Sequence, residues 1–364
     1  MILECSTEKL KQALGYAERM TGKNLSLPIL GSLLFIASGK SLRIRATNLS
    51  LGIEIEVPAK IEEEGVIAVK ADTVSAAVHS FTSNENVTLS LDNGNLLLKT
   101  KQNKVLVKAF SHEDFPTLPV VAGQEIYLSA KKLIDGLKSV VYSASVSDIK
   151  PELASVYVYP SDGQIFFVAT DAFRLAEKKI KGSEGEWKGI LLPAKNALEI
   201  IKLFQDYSDD IKIIMSDNQL SLTTSMMYVT SRLVANPFPD YTQILPKEPK
   251  TQVTILKQDL GNALKLTTVF SDKFNQVNIT VVGAEKKIAI GAKNADTGEQ
   301  VTKVDAAISG DDIEMNVNYR HMLDCFQSIG QDSITLSFTD TNRPIVIRGV
   351  SDQSFLYLIM PMNR

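Results

Sequence analysis

At 364 residues, 44% of them hydrophobic, the chain carries enough apolar material for two or three ordinary cores. A formal net charge of −3 excludes a protein that grips nucleic acid by bulk positive charge, because neutralising phosphates takes clustered Lys and Arg. Cys5 and Cys325 have no CxxC spacing and no neighbouring histidine, which argues against a disulfide framework or a zinc site. The opening MILECSTEKL is too charged for a signal peptide, and no apolar run approaches the roughly 18 residues of a membrane helix. A reducing cytoplasm is the expected location.

The chain begins with an amphipathic helix over 7–21. Leu10, Leu14, Ala17 and Met20 form its apolar stripe, and Lys9, Gln12, Tyr16, Arg19 and Lys23 step by three and four along the opposite face. Ser41 to Val57 alternates like half-buried strands. Next comes a strand-then-helix unit, GVIAVKADTVSAAVHSF, with its helix over 71–83, and a hairpin turning at Asn93-Gly94. The order then restarts. A helix over 129–143 sets Leu133, Leu137 and Val140 opposite Lys131 and Lys138, and GILLPAKNALEIIKLF supplies another over 194–207. A third round brings a helix over 256–273 with Lys257 and Lys265, and DIEMNVNYRHMLDCFQSI with a helix over 318–328.

The restart is a repeat. Ala46-Thr47-Asn48, Ala169-Thr170-Asp171 and Ala292-Lys293-Asn294 lie 123 residues apart, as do Pro28 and Pro151, Leu30 and Leu153, and Phe115-Pro116 and Phe238-Pro239. Met360-Pro361, 122 beyond Phe238-Pro239, reads as the same closing position. Three tandem α+β domains are expected over 1-123, 124-249 and 250-364, each of two helix-plus-strands units. The six helix windows hold 12 Lys and Arg against 9 Asp and Glu. Such an excess is weakly basic, and charge alone supports no more than a solvated helix face.

Catalytic motifs are missing. Gly15 with Gly22-Lys23-Asn24 departs from phosphate-loop spacing and lacks the Ser or Thr that binds Mg²⁺, and GxSxG, HExxH and GxGxxG do not occur. His79, His112 and His321 are the three histidines, and Asp209-Asp210 and Asp311-Asp312 read as turns before strands. No enzyme activity, cofactor or metal is expected. A repeat-built scaffold without a DNA role would show the same fold with no basic asymmetry. A sequence-reading regulator would need a recognition helix, and none stands out.

Leu27-Pro28-Ile29-Leu30-Gly31, the run Ala169 to Ala176 (ATDAFRLA), Phe238-Pro239-Asp240-Tyr241 leading to Leu245-Pro246, and the terminal Met360-Pro361-Met362 carry a family resemblance. In order and spacing the chain resembles the bacterial DNA polymerase III beta-subunit family of sliding clamps along its whole length. The resemblance implies clamp-type domains with helices lining a hole and antiparallel sheets outside, two copies closing head to tail as a homodimeric ring. Closure of that kind pairs sheet edges that would otherwise be sticky. It further implies a processivity factor that encircles double-stranded DNA without reading its sequence. The ring would tether the replicative DNA polymerase, the clamp loader and other clamp-motif proteins.

Under that resemblance, weak phosphate contacts are expected from Lys9, Lys11, Arg19, Lys23, Lys131, Lys138, Lys150, Lys195 and Lys202. Positions matching the dimer interface are Val105, Val107, Val269 and Phe270. The partner-peptide cleft maps onto Thr170, Ala172, Phe173, Arg174, Leu175, Pro239, Ile244, Leu358, Met360, Pro361, Met362 and Arg364. Adaptable methionines suit a groove that takes several partners in turn. This chain departs from the family pattern at Ala172-Phe173, where Gly-His or Gly-Tyr is common, at Gln243 in place of a frequent Arg, at Pro344, and at its Asn363-Arg364 end.

Overall fold

The computed structural model describes residues 1–22, 27–182, 187–246 and 248–362. Six α-helices occur among the described residues: α1 Thr7–Glu18, α2 Ala71–His79, α3 Ala130–Val140, α4 Ala194–Phe204, α5 Lys257–Thr267 and α6 Tyr319–Asp324. Each falls inside its expected window. Ser6 caps α1 by accepting the N–H of Lys9 at 3.5 Å, and Leu10, Leu14, Ala17 and Met20 are all fully buried. The stripe on α3 likewise buries Leu133, Leu137 and Val140. Asn93 (φ 48°) and Gly94 (φ 77°) turn a hairpin whose two central residues both need positive φ, which Asn-Gly supplies at low cost.

The repeat is visible element by element. Strands Ser41–Thr47, Gln164–Thr170 and Lys287–Asn294 start 123 residues apart, and α3 starts 123 after α1. α5 starts 127 after α3, so the third copy reaches its strands by a shorter path.

Strand register corrects one landmark. Strand Met227–Arg232 pairs with Leu51–Glu63, placing Ser231 opposite Leu51, while Phe355–Ile359 pairs with Arg174–Lys181, placing Ile359 opposite Arg174. Leu51 and Arg174 are equivalent, so Ile359 corresponds to Ser231, 128 residues earlier. Met360-Pro361 therefore continues directly from a strand end. By this register it is not the counterpart of Phe238-Pro239.

By density of internal contact the chain falls into two units that share the middle repeat: Met1–Lys131 with Lys202–Leu233, and Lys132–Ile201 with Val234–Arg364. In the first unit an antiparallel sheet runs from Gln124–Ser129 through Asp210–Met215, Gln219–Thr223 and Met227–Arg232 into Leu51–Glu63, Ile2–Ser6, Asn86–Asp92, Asn95–Lys99 and finally Lys104–Val107. The second unit holds a sheet of nine strands, from Ile190–Pro193 to Ala307–Gly310, and a sheet of four ending at Gly298–Asp305. In both units sheet continues across a repeat boundary, because the last strand of one copy hydrogen-bonds to the copy beside it. Among the described residues no helix is long and apolar enough to cross a membrane.

Candidate partner-peptide cleft and basic helix faces

All the described residues assigned to the cleft lie in the second unit. Its first wall is the turn between strands Gln164–Thr170 and Arg174–Lys181. The Thr170 hydroxyl donates to the Arg174 carbonyl at 2.6 Å and accepts the Ala172 N–H at 3.1 Å. Asp171 accepts the N–H groups of Phe173 (2.9 Å) and Arg174 (3.0 Å). Two short polar side chains thus tie the turn from within. The bend drives Ala172 to φ 76°, the left-handed region where a Cβ costs about 1 kcal/mol and glycine is at ease. Replacing Ala172→Gly is expected to stabilise the protein by about 0.5–1 kcal/mol, seen as a higher denaturant midpoint. A midpoint that stays put or falls would show that the alanine is not strained.

Phe173 stands at the tip of the turn, 66% exposed, whereas Thr170 and Leu175 are buried. Leu175 faces Leu358 across the strand pair, and both join Val168, Tyr241, Val346 and Leu356 in one buried apolar cluster. The chain end forms the next wall. Met360 donates its N–H to the Phe173 carbonyl at 2.9 Å and Met362 its N–H to Asn316 at 2.8 Å, leaving Met360, Pro361 and Met362 half-buried.

The last wall is the segment around the short 3-10 turn Tyr241–Ile244, with Pro239 and Ile244 exposed on it. Its anchor is Tyr241, whose hydroxyl meets the buried Glu177 carboxylate at 2.5 Å and the Tyr159 hydroxyl at 2.7 Å. Burial, and then the neighbouring Glu177 carboxylate, push the Tyr241 phenol far above its ordinary range, so it remains a hydrogen-bond donor at every physiological pH. Gln243 donates its amide to Asp240 at 2.9 Å. The residue standing where an Arg is frequent therefore braces its own turn.

Arg174, assigned to the first wall, is held inside the protein. Its side chain is 12% exposed and its donors are spent inside the protein: on Asp171 at 2.9 Å, on Asp324 of α6, and on the Tyr142 carbonyl at 2.7 Å. The guanidinium fork makes it a staple behind the wall. Arg364 lies outside the described residues.

On the helices and at their ends, Lys9 and Arg19 of the first unit are exposed, as are Lys131 and Lys202; in the second unit Lys138 of α3 is exposed, and so is Lys150, which lies in the loop before strand Ser155–Ser161. Lys11 and Lys195, both expected at phosphates, have partners within the protein. Lys11 donates to the Phe81 carbonyl at 2.5 Å, closing the end of α2, and Lys195 pairs with Asp148 at 2.5 Å. Lys23 is outside the described residues.

Among the interface positions, Val107 faces the first unit's core at 2% exposure, and Val105 shares its side of the strand and is half-buried. Alternation leaves Leu106, 53% exposed, to face outward from this edge strand. Val269 is 61% exposed and Phe270 half-buried, with Phe274 (59%) and, on edge strand Gly298–Asp305, Val301 (68%) also exposed in that unit. Sequence reasoning missed Leu106, Val301 and Phe274. The period-two pattern of Lys104 to Val107 held the signal for Leu106. It also missed the Tyr159–Tyr241–Glu177 bracket, which no local pattern encodes.

Comparison with known proteins agrees with this architecture over the whole chain. Family models for the DNA polymerase III beta subunit match in order: the N-terminal domain at residues 1–119, the central domain at 127–240 and the C-terminal domain at 242–363. The beta sliding clamp of Synechococcus elongatus is 24% identical, covering 100% of this chain and 99% of that protein, and that of Synechocystis is 25% identical with the same coverage. Among solved structures, the DNA polymerase III subunit beta of Pseudomonas aeruginosa superposes with a TM-score of 0.96 at 22% identity, and that of Thermotoga maritima with 0.95 at 23%, each covering 100% of both chains. With all three domain models matched in sequence order, the chain belongs to the DNA polymerase III beta-subunit family, the beta sliding clamps.

Proposed function

We propose that two copies of this chain close head to tail into a ring around duplex DNA and serve as a cytoplasmic, non-catalytic processivity factor. The replicative polymerase, the clamp loader and other clamp-motif proteins then dock short hydrophobic segments in the cleft built by Thr170 to Leu175, Pro239, Ile244 and Leu358 to Met362. The observation that carries this reading is one clamp domain written three times along the whole chain, which we assign to 1-123, 124-249 and 250-364. Helices turned toward the DNA would touch phosphates through Lys9, Arg19, Lys131, Lys138 and Lys202, and a loop through Lys150, weakly and without base contacts. A ring holds its substrate by topology and needs no net positive charge, which reconciles the formal charge of −3 with a DNA role.

Closure would pair the open edges of strands Lys104–Val107 and Gly298–Asp305, whose outward Leu106 and Val301 supply apolar contact along the seam. The test is topological. Loaded onto a nicked circular DNA by a clamp loader, the protein is expected to co-elute with the circle and to slide off once the circle is cut; retention on the linear product would defeat this mode of binding.

A further inference from the structure

Beside the cleft, in the same unit, lies a groove of about 290 Å³ with Pro246 and Pro249 on its rim and Arg348 in its lining. We propose that this groove receives an acidic side chain of the docked partner segment, making Arg348 a specificity-determining residue. The inference deepens the cleft reading and rests on it.

Continuity comes from strand Ile345–Gly349. Val346 and Arg348 are two residues apart on this strand and share a face, opposite Ser337 and Thr335, and Ser337 in turn lies opposite Gln252. Val346 lines the groove and also belongs to the buried cluster of Leu175 and Leu358. One side chain therefore belongs both to the groove lining and to the cluster beneath the proposed cleft. Two strand residues span about 6.6 Å, so an extended peptide leaving the cleft comes within reach of the guanidinium after about two or three residues.

The charge is unspent. Arg348 donates through one terminal nitrogen to the Gln353 amide oxygen at 3.2 Å, while its buried Nε has no hydrogen-bond partner among the described residues. The groove's one carboxylate, Asp352, is turned to Ser354, accepting that residue's N–H and hydroxyl at 2.7 Å each. A half-buried guanidinium with donors in reserve, set among Pro, Thr, Ser and Gln, presents a cation to whatever leaves the cleft. A planar fork matches a carboxylate in both charge and shape, and a neutral amide in neither.

The test uses the full-length protein and synthetic peptides with a short hydrophobic clamp-motif anchor, each carrying Glu, Gln or Lys at one of three positions on either side of the anchor. At one position Glu is expected to bind about 3- to 10-fold tighter than Gln. Arg348→Ala should erase that ratio while leaving the Gln peptide's affinity unchanged, and Arg348→Glu should shift the preference to Lys. Thermal melts confirm that both variants fold, and swapping the charge on the peptide alone gives the same comparison on unmodified protein. Equal binding of Glu and Gln peptides at every position, or a ratio that survives Arg348→Ala, overturns the proposal. If no anchor peptide binds the unmodified protein, the cleft reading itself fails, an outcome distinct from loss of the Glu preference alone.

Discussion

Deleting Met360 to Arg364 is expected to weaken binding of a polymerase-derived clamp-motif peptide by at least about 100-fold while the dimer persists. Met360 closes over the cleft through its main-chain bond to Phe173, and Met360, Pro361 and Met362 contribute half-buried apolar surface beside the exposed Phe173. Interface energy concentrates in such central apolar anchors, so losing three of them at once removes most of it. Strand Phe355–Ile359, fully buried and paired on both sides, ends just before the deletion and keeps the sheet intact. Fluorescence polarisation reads the peptide, and sedimentation reads the dimer. Loss of the dimer would mark the tail as structural, and unchanged peptide affinity would place the cleft elsewhere.

Arg174→Ala is expected to destabilise the protein by about 2–4 kcal/mol, because it strips the partner from two carboxylates and from a main-chain carbonyl together. Asp171 is 17% exposed at its side chain and cannot recover full hydration, whereas Asp324, at 42%, can in part. The contribution therefore comes mainly from the Asp171 and Tyr142 contacts. Asp171 also holds the N–H groups of Phe173 and Arg174, so loosening it disturbs the turn and should lower peptide affinity as well. Arg174→Lys keeps the charge but lacks a fork able to reach three acceptors, and should recover only a small part of either loss. Thermal unfolding followed alongside peptide binding checks both effects. A melting temperature within about 1 °C of the unmodified protein would show that the staple carries no weight.

These two residues mark how far the sequence could be read. Leu10, Leu14, Ala17 and Met20 were legible as core because helical spacing is a local property, and each is buried. The interval between strand starts at Ser41 and Gln164 was legible for the same reason, since a repeat writes itself into residue numbers. The resemblance brought the cleft residues together as a set, but not their tasks. Arg174 carries the same letter whether it greets a peptide or braces a wall, and the positions of Asp324 and Tyr142 decide between the two. Val107 and Leu106 differ by one step along a strand, and that step turns one inward and the other out. Met360-Pro361 was placed by counting, which fails where the interval between copies changes; pairing of Ile359 with Arg174 settles its register.

By itself, the sequence determined the fold class, the threefold repeat, the position of the six helices found among the described residues and membership in a family, because each of these rests on periodicity or on short motifs in a fixed order. Only the tertiary structure decided which polar side chains are spent and which are free. Lys11, Lys195 and Arg174 are engaged by groups 70, 47 and 150 residues away, and the Tyr241 hydroxyl is fixed by Glu177, 64 residues away. Among the described residues Arg348 finds only Gln353, five residues off. A hydrogen bond forms over about 3 Å of space whatever the distance along the chain, so the residues that hold the cleft in shape, and the one that stands ready beside it, become visible only once the strands have brought them together.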